Sequence, residues 1–438
     1  MSAVVDVSGR QVLDSRGRPT VEVDVRLADG TLGRASVPSG ASTGSFEAHE
    51  LRDGDPAVFA GLGVQTAVTH VRTSIKAALR GRNADDQSGI DALLRELDGS
   101  PQLTRLGANA VLGASLAVCR AAALSSGQPL YRWIAQLAGV DAPLLPLPMV
   151  NIFSGGLHAS GGMDVQDFLV IPVGATSIEE AVHLAARVRT AATQVCADHG
   201  LPTLLADEGG LSPGCRTAAD ALALLVEAIE RAGLRPGDDA VIAIDVAAHG
   251  LWSSDGRYHL ETEGVDLGTA EMIEMVEGWV ADFPVVSVED PLDEEDWSGW
   301  AELTRRLGNR VRLIGDDLFT TNEQRLRTGV ASGCANGVLI KVNQNGTLSG
   351  TLEVVRTARA AGYVPVVSAR SGETEDDFLA DLAVGTAAGQ IKVGSLRTSD
   401  RLAKYNQLLR IAEDTTLAFA DGAATGLRPR FCTAGGQG

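Results

Sequence analysis

Four apolar runs in the chain each end in a charged residue: VIAID at Asp245, VVSVE at Glu289, VRLIGD at Asp316 and GVLIK at Lys341. The spacings are 44, 27 and 25 residues, and helix-like sequence fills each gap. That rhythm reads as consecutive β/α units of a parallel barrel, whose chemistry sits at the strand C-termini. The three carboxylates have no Cys or His beside them, and an oxygen-only ligand set favours Mg²⁺ over zinc or copper. A lysine near a dication is expected to lose its proton more easily and to serve as a base. Mg²⁺ with an amine base is what proton abstraction next to a carboxylate requires.

Further candidates surround this set. Glu208 in LLADEGG reads as another strand end, a carboxyl that burial would keep neutral for use as an acid. Arg370 and Ser371 follow the run VPVVS, where a guanidinium can grip a phosphate or carboxylate with two hydrogen bonds. Lys392 sits in GQIKVG. The loop PSGASTG, with Ser42, offers backbone donors and hydroxyls for a lid over a phosphate. His158 lies between two glycine pairs in SGGLHASGG.

The elements that must position these residues fall into two parts. Residues 1–140 read as an α+β domain. VEVDVRLA and TLGRASV flank the turn residues Asp29 and Gly30, and helices are expected over 56–80, 85–97 and 108–125. The proline-containing segment DAPLLPLPMVNI, from 141, opens the second part, 141–438. Its strand candidates are DVQDFLVIP, TLLAD, AVIAID, VVSVE, VRLIG, GVLI, VPVVS and QIKV. Helices are expected over 177–198, 217–232, 269–281, 296–307, 322–332, 347–361, 376–387 and 400–413. The fold class is therefore α/β, a β/α barrel behind an α+β cap, with a Gly-rich surface tail from Asp414.

Bulk properties narrow the function. A chain of 438 residues exceeds one ordinary core. Its formal charge of −19 argues against nucleic-acid or anionic-membrane partners, but a small anionic substrate remains open where cations gather locally. MSAVVDVSGR lacks a basic-then-apolar signal, and no uninterrupted apolar run of 18 residues occurs. The five scattered cysteines form no CxxC pair and fit reduced thiols of a cytoplasmic protein.

Taken together, DSRGRPTVEV, PSGASTG, HELRDGD, ADEGG, VEDPLDEEDW, GDDLFTTN, LIKVNQNGT, RSGETED, DLAVGTAAGQIK and SDRLAKYNQLLRI resemble the enolase family, in the family's order and over essentially the whole chain. The enolase superfamily's pairing of a Lys or His base with one or two Mg²⁺ is an established pattern. The resemblance implies a capping domain, an enolase-type barrel, and dehydration of 2-phosphoglycerate to phosphoenolpyruvate. It puts Asp245, Glu289 and Asp316 on the first of two Mg²⁺ ions and Ser42 on the second. Lys341 falls on the C2 base and Glu208 on the acid. Arg370, Ser371 and Lys392 fall on substrate-anion contacts, and His158 on the mobile-loop histidine. A homodimer or higher homo-oligomer is also implied.

Three positions depart from the family. Asp167 stands where enolases have Glu, Ala369 where they have His, and Ser154 where they have Asn. The first two changes enlarge the pocket, and the second also removes a polar group. The expectation is an enolase-like lyase with a specialised substrate, such as one with a carboxyphosphonate head group. The rivals are an ordinary glycolytic enolase and a noncatalytic enolase-fold binding protein.

Overall fold

The computed structural model describes residues 2–41 and 44–427. Ser42 therefore lies outside the described residues. The N-terminal part opens with an antiparallel sheet of Val4–Leu13, Pro19–Leu27 and Leu32–Ser36. The expected hairpin turns through Gly30, whose φ of 90° suits only glycine well. Helix Ala108–Ser125 packs across this sheet. The approach is close: a Cβ on Gly33 would lie 2.2 Å from the Ala117 carbonyl oxygen. That helix is long and apolar enough to cross a membrane by length and composition, but most of it is buried inside the protein. Its small side chains explain the close packing.

One helix was not anticipated. Leu130–Ala138 starts at Pro129 and turns Tyr131, Ile134, Ala135 and Ala138 inward. Its buried face meets helix Phe378–Gly385.

Eight strands close the barrel in the order Leu147–Ser154, Asp167–Ile171, Val241–Asp245, Val285–Glu289, Arg312–Gly315, Gly337–Ile340, Val364–Ser368 and Gln390–Gly394. The eighth pairs in parallel with the first. The second runs antiparallel to both its neighbours, which corrects the expectation of an all-parallel barrel. The first strand begins inside the proline-containing segment at which the domain boundary is expected. All eight of its residues are buried, so it shows no alternating pattern. TLLAD, expected as a barrel strand, instead forms a short hairpin of Leu204–Leu205 with Leu211–Ser212. Leu204 is 72% exposed and Leu205 47%, which rules out a core strand there.

The barrel helices fall close to their expected spans, and their N-caps show why. Ser177 accepts from the Glu180 N–H, and Thr217 and Asp220 form a reciprocal capping box. From Asp414 to Leu427 the chain does not run as a free surface tail: Ala418–Phe419 pairs with Leu144–Leu145, and Leu427 is buried; the rest of the expected tail lies outside the described residues.

Candidate active site

The inverted second strand shapes the barrel mouth. Because it runs backwards, its first residue, Asp167, lies level with Asp245, the last residue of the third strand. Glu289 ends the fourth strand in register with Asp245. Asp316 and Lys341 immediately follow the fifth and sixth strands.

Two lysines hold the three carboxylates read as metal ligands. Lys392 Nζ donates to Asp245 Oδ2 and Glu289 Oε2, both at 2.7 Å. Lys341 Nζ donates to Asp316 Oδ2, and Gln344 Nε2 donates to Asp316 Oδ1 at 2.9 Å. Lys341 was expected to have a lowered pKa. Here burial pulls it down most strongly, but the neighbouring carboxylates, Asp316 first and then Glu289, together raise it. The ammonium form therefore prevails in this arrangement.

The acidic groups fit a bound dication. Glu289 Oε1 is buried and has no hydrogen-bond partner among the described residues. Burial, then Asp245, pushes the Glu289 carboxyl well above the usual carboxylate range. Crowded carboxylates with one free oxygen are the environment a hard cation relieves. Asp290, at a strained φ of 41°, accepts from the backbone N–H of Asp316 and Asp317 at 2.9 and 2.7 Å. It thereby fastens the fourth strand end to the fifth. Asp290, Asp316 and Asp317 bring ligand atoms within 4.8 Å of one another.

A second acidic cluster, His158, Asp167 and Glu208, meets the same 4.8 Å limit. His158 Nδ1 is 2.9 Å from Asp167 Oδ2, and its Nε2 is 3.9 Å from Glu208 Oε1. Asp167 Oδ1 accepts from Asn151 Nδ2 at 2.5 Å and from Ser154 Oγ at 2.8 Å. Burial lowers the His158 pKa, yet Asp167 and Glu208 override it and push it up to about 9. Glu208 corrects two expectations. It stands in the turn that joins Leu204–Leu205 to Leu211–Ser212, not at a barrel strand end. It is also not held neutral: burial raises its pKa, but Arg401, His158 and Lys392 together bring it below the usual value.

Arg370 and Ser371 follow the seventh strand, as expected. Arg370 grips Glu47 with two hydrogen bonds, at 2.9 and 3.2 Å, and reaches Asn343 Oδ1 at 2.8 Å. Ser371 Oγ accepts from the Ala41 N–H at 2.7 Å, which ties the PSGASTG loop to the barrel. His158, Gln166, Glu208, Asp245, Lys341, Ala369, Arg370, Ser371 and Lys392 line one cavity.

Sequence reasoning missed Glu47, Asn151, Asp290, Asn343 and Gln344. Asn343 and Gln344 sit in the LIKVNQNGT motif directly after Lys341, so the signal was present. Glu47 lies just beyond PSGASTG, where no spacing links it to Arg370.

Fold and site together define a β/α-barrel enzyme whose lysines and carboxylates crowd the strand C-termini. The family model of the enolase C-terminal TIM barrel domain matches residues 142–424, and that of the enolase N-terminal domain matches residues 4–134. The chain belongs to the enolase family and is an enolase-like enzyme.

Proposed function

We propose that the protein is a Mg²⁺-dependent lyase that forms an enolpyruvate from a small anionic substrate, by C2 proton abstraction and β-elimination. The carrying observation is the single cavity onto which Lys341, Glu208, Arg370, Ser371 and Lys392 all open. Lys341 Nζ takes the C2 proton. Glu208, ionised in this arrangement, must first take up a proton, which the protonated His158 beside it can supply, and then delivers it to the departing C3 hydroxyl. Arg370, Ser371 and Lys392 orient the substrate's anionic groups. Asp245, Glu289 and Asp316 would hold Mg²⁺, with Ser42 serving a second ion. The ions would supply positive charge to the enolate as it develops. Lys341 must shed its proton before it can act, and a cation taking over Asp316 favours that.

The specialised-substrate reading rests on the mouth's altered wall. Ala369 lines the cavity with a methyl group where enolases present an imidazole. Asp167 draws its carboxylate back onto Asn151 and Ser154. A methyl where the family has an imidazole would leave more room for a head group larger than phosphate, as in carboxyphosphonoenolpyruvate synthesis. Ordinary 2-phosphoglycerate dehydration is the second reading, favoured by the full retention of base, acid and carboxylates. Comparing kcat/KM for 2-phosphoglycerate in the native chain and in an Asp167→Glu, Ala369→His variant separates the two.

The family likeness also supports a homodimer or larger homo-oligomer, and a boundary near residue 140 between cap and barrel. Four buried free cysteines support a reducing cytoplasm.

A further inference from the structure

A cavity of about 970 Å³ lies at the end of the barrel away from the carboxylates. It opens where the strands Val285–Glu289, Arg312–Gly315 and Val364–Ser368 begin, and Gly422 and Leu427 bound another side. This end of a β/α barrel normally contributes stability alone.

Its charge is unusual for this chain. The protein carries −19 overall, yet no Asp or Glu is among the described residues lining the cavity, whose charged groups are Arg310 and Arg312. Arg312 is half-buried. Its Nη1 donates to Gln390 Oε1 at 2.7 Å and its Nη2 to the Thr425 carbonyl at 3.0 Å, both neutral acceptors. Burial, with no carboxylate to oppose it, pulls the Arg312 pKa down to about 10. The Gln390 amide nitrogen is fully buried and has no partner among the described residues. Arg310 is exposed, and its guanidinium makes no ion pair among the described residues.

A guanidinium without a counter-charge beside a cavity is a receptor for an oxyanion. Two of them match a dianion. The cavity also falls within the size range of small-molecule sites, which is larger than a lone phosphate needs. We propose that this cavity binds a small phosphate-bearing molecule through Arg310 and Arg312, at a site separate from the barrel mouth.

Titration calorimetry of the full chain with inorganic phosphate, without Mg²⁺ and at low salt, tests this. Arg310→Glu is the principal variant, because Arg310 is exposed and its loss leaves the core intact. Phosphate affinity is expected to fall about tenfold or more in Arg310→Glu. It should fall in Arg312→Lys as well, which keeps the charge but loses the fork. It should persist in Arg370→Gln, which alters only the mouth. Acetate at equal concentration should leave phosphate binding unchanged. Native-like affinity in Arg310→Glu, loss in Arg370→Gln alone, or equal displacement by acetate would each overturn the proposal. Because the mouth variant is scored separately, failure here leaves the proposed lyase reading untouched.

Discussion

Asp167 and Asp245 face each other across an antiparallel strand pair, one opening its strand and the other closing its own. In a fully parallel barrel the start of a strand lies at the opposite end from the chemistry. Reversal of the second strand is what brings Asp167, and with it His158, to the mouth. The His158–Asp167 side of the cavity thus depends on one strand's direction, while the Asp245–Glu289–Asp316 side depends on ordinary β/α repeats.

Glu289→Gln should weaken Mg²⁺ binding and activity together. The substitution keeps the shape but removes the charge whose Oε1 lacks a partner. Calorimetric Mg²⁺ titration of native and variant protein is the check, and unchanged affinity would reject the ligand assignment.

Lys341→Ala should abolish C2 proton exchange with solvent, by about 10²-fold or more for the loss of a general base. Metal binding should survive, since Asp316 keeps its hydrogen bond from Gln344. Exchange followed by NMR in deuterated water reads this directly. Undiminished exchange would move the role to another group.

Asp167→Glu with Ala369→His should raise kcat/KM for 2-phosphoglycerate. Leaving a buried polar partner unmatched costs about 1–3 kcal/mol, and 1.4 kcal/mol is about tenfold in rate. The gain should therefore be about tenfold or more, and the two changes need not add because both touch the same wall. A native chain that already turns over 2-phosphoglycerate at a rate the double variant cannot improve would make this an ordinary enolase.

The His158–Asp167 pair should make stability depend on pH in a fixed direction. The folded pKa of His158, about 9, lies above its ordinary 6.5, so the protonated ring is favoured by folding. The stabilisation is fully present below pH 6.5 and is lost as pH rises through about 9. The difference in melting temperature between native protein and Asp167→Asn should shrink over that window. A difference that stays constant across it would show that His158 does not titrate there.

Sequence carried the carboxylate side of the site well. Asp245, Glu289, Asp316 and Lys341 each terminate an apolar run, because a parallel strand buried on both faces must end where charge can be placed. The acid side was harder to read. LPMVNIFS has no alternation, since the barrel buries all of it, and Pro148 with the two prolines just before it disguises the strand. TLLAD has the composition of a core strand, but its leucines face outward in a hairpin. Strand direction has no local signature in either segment. Partners such as Glu47 and Arg370, 323 positions apart, are joined only by the fold.

The parallel bridge between Ala418–Phe419 and Leu144–Leu145 sets the barrel's entry beside its exit. A chain segment whose two ends meet can be circularly permuted. The same adjacency lets sequence be added ahead of residue 144 without rerouting any barrel strand.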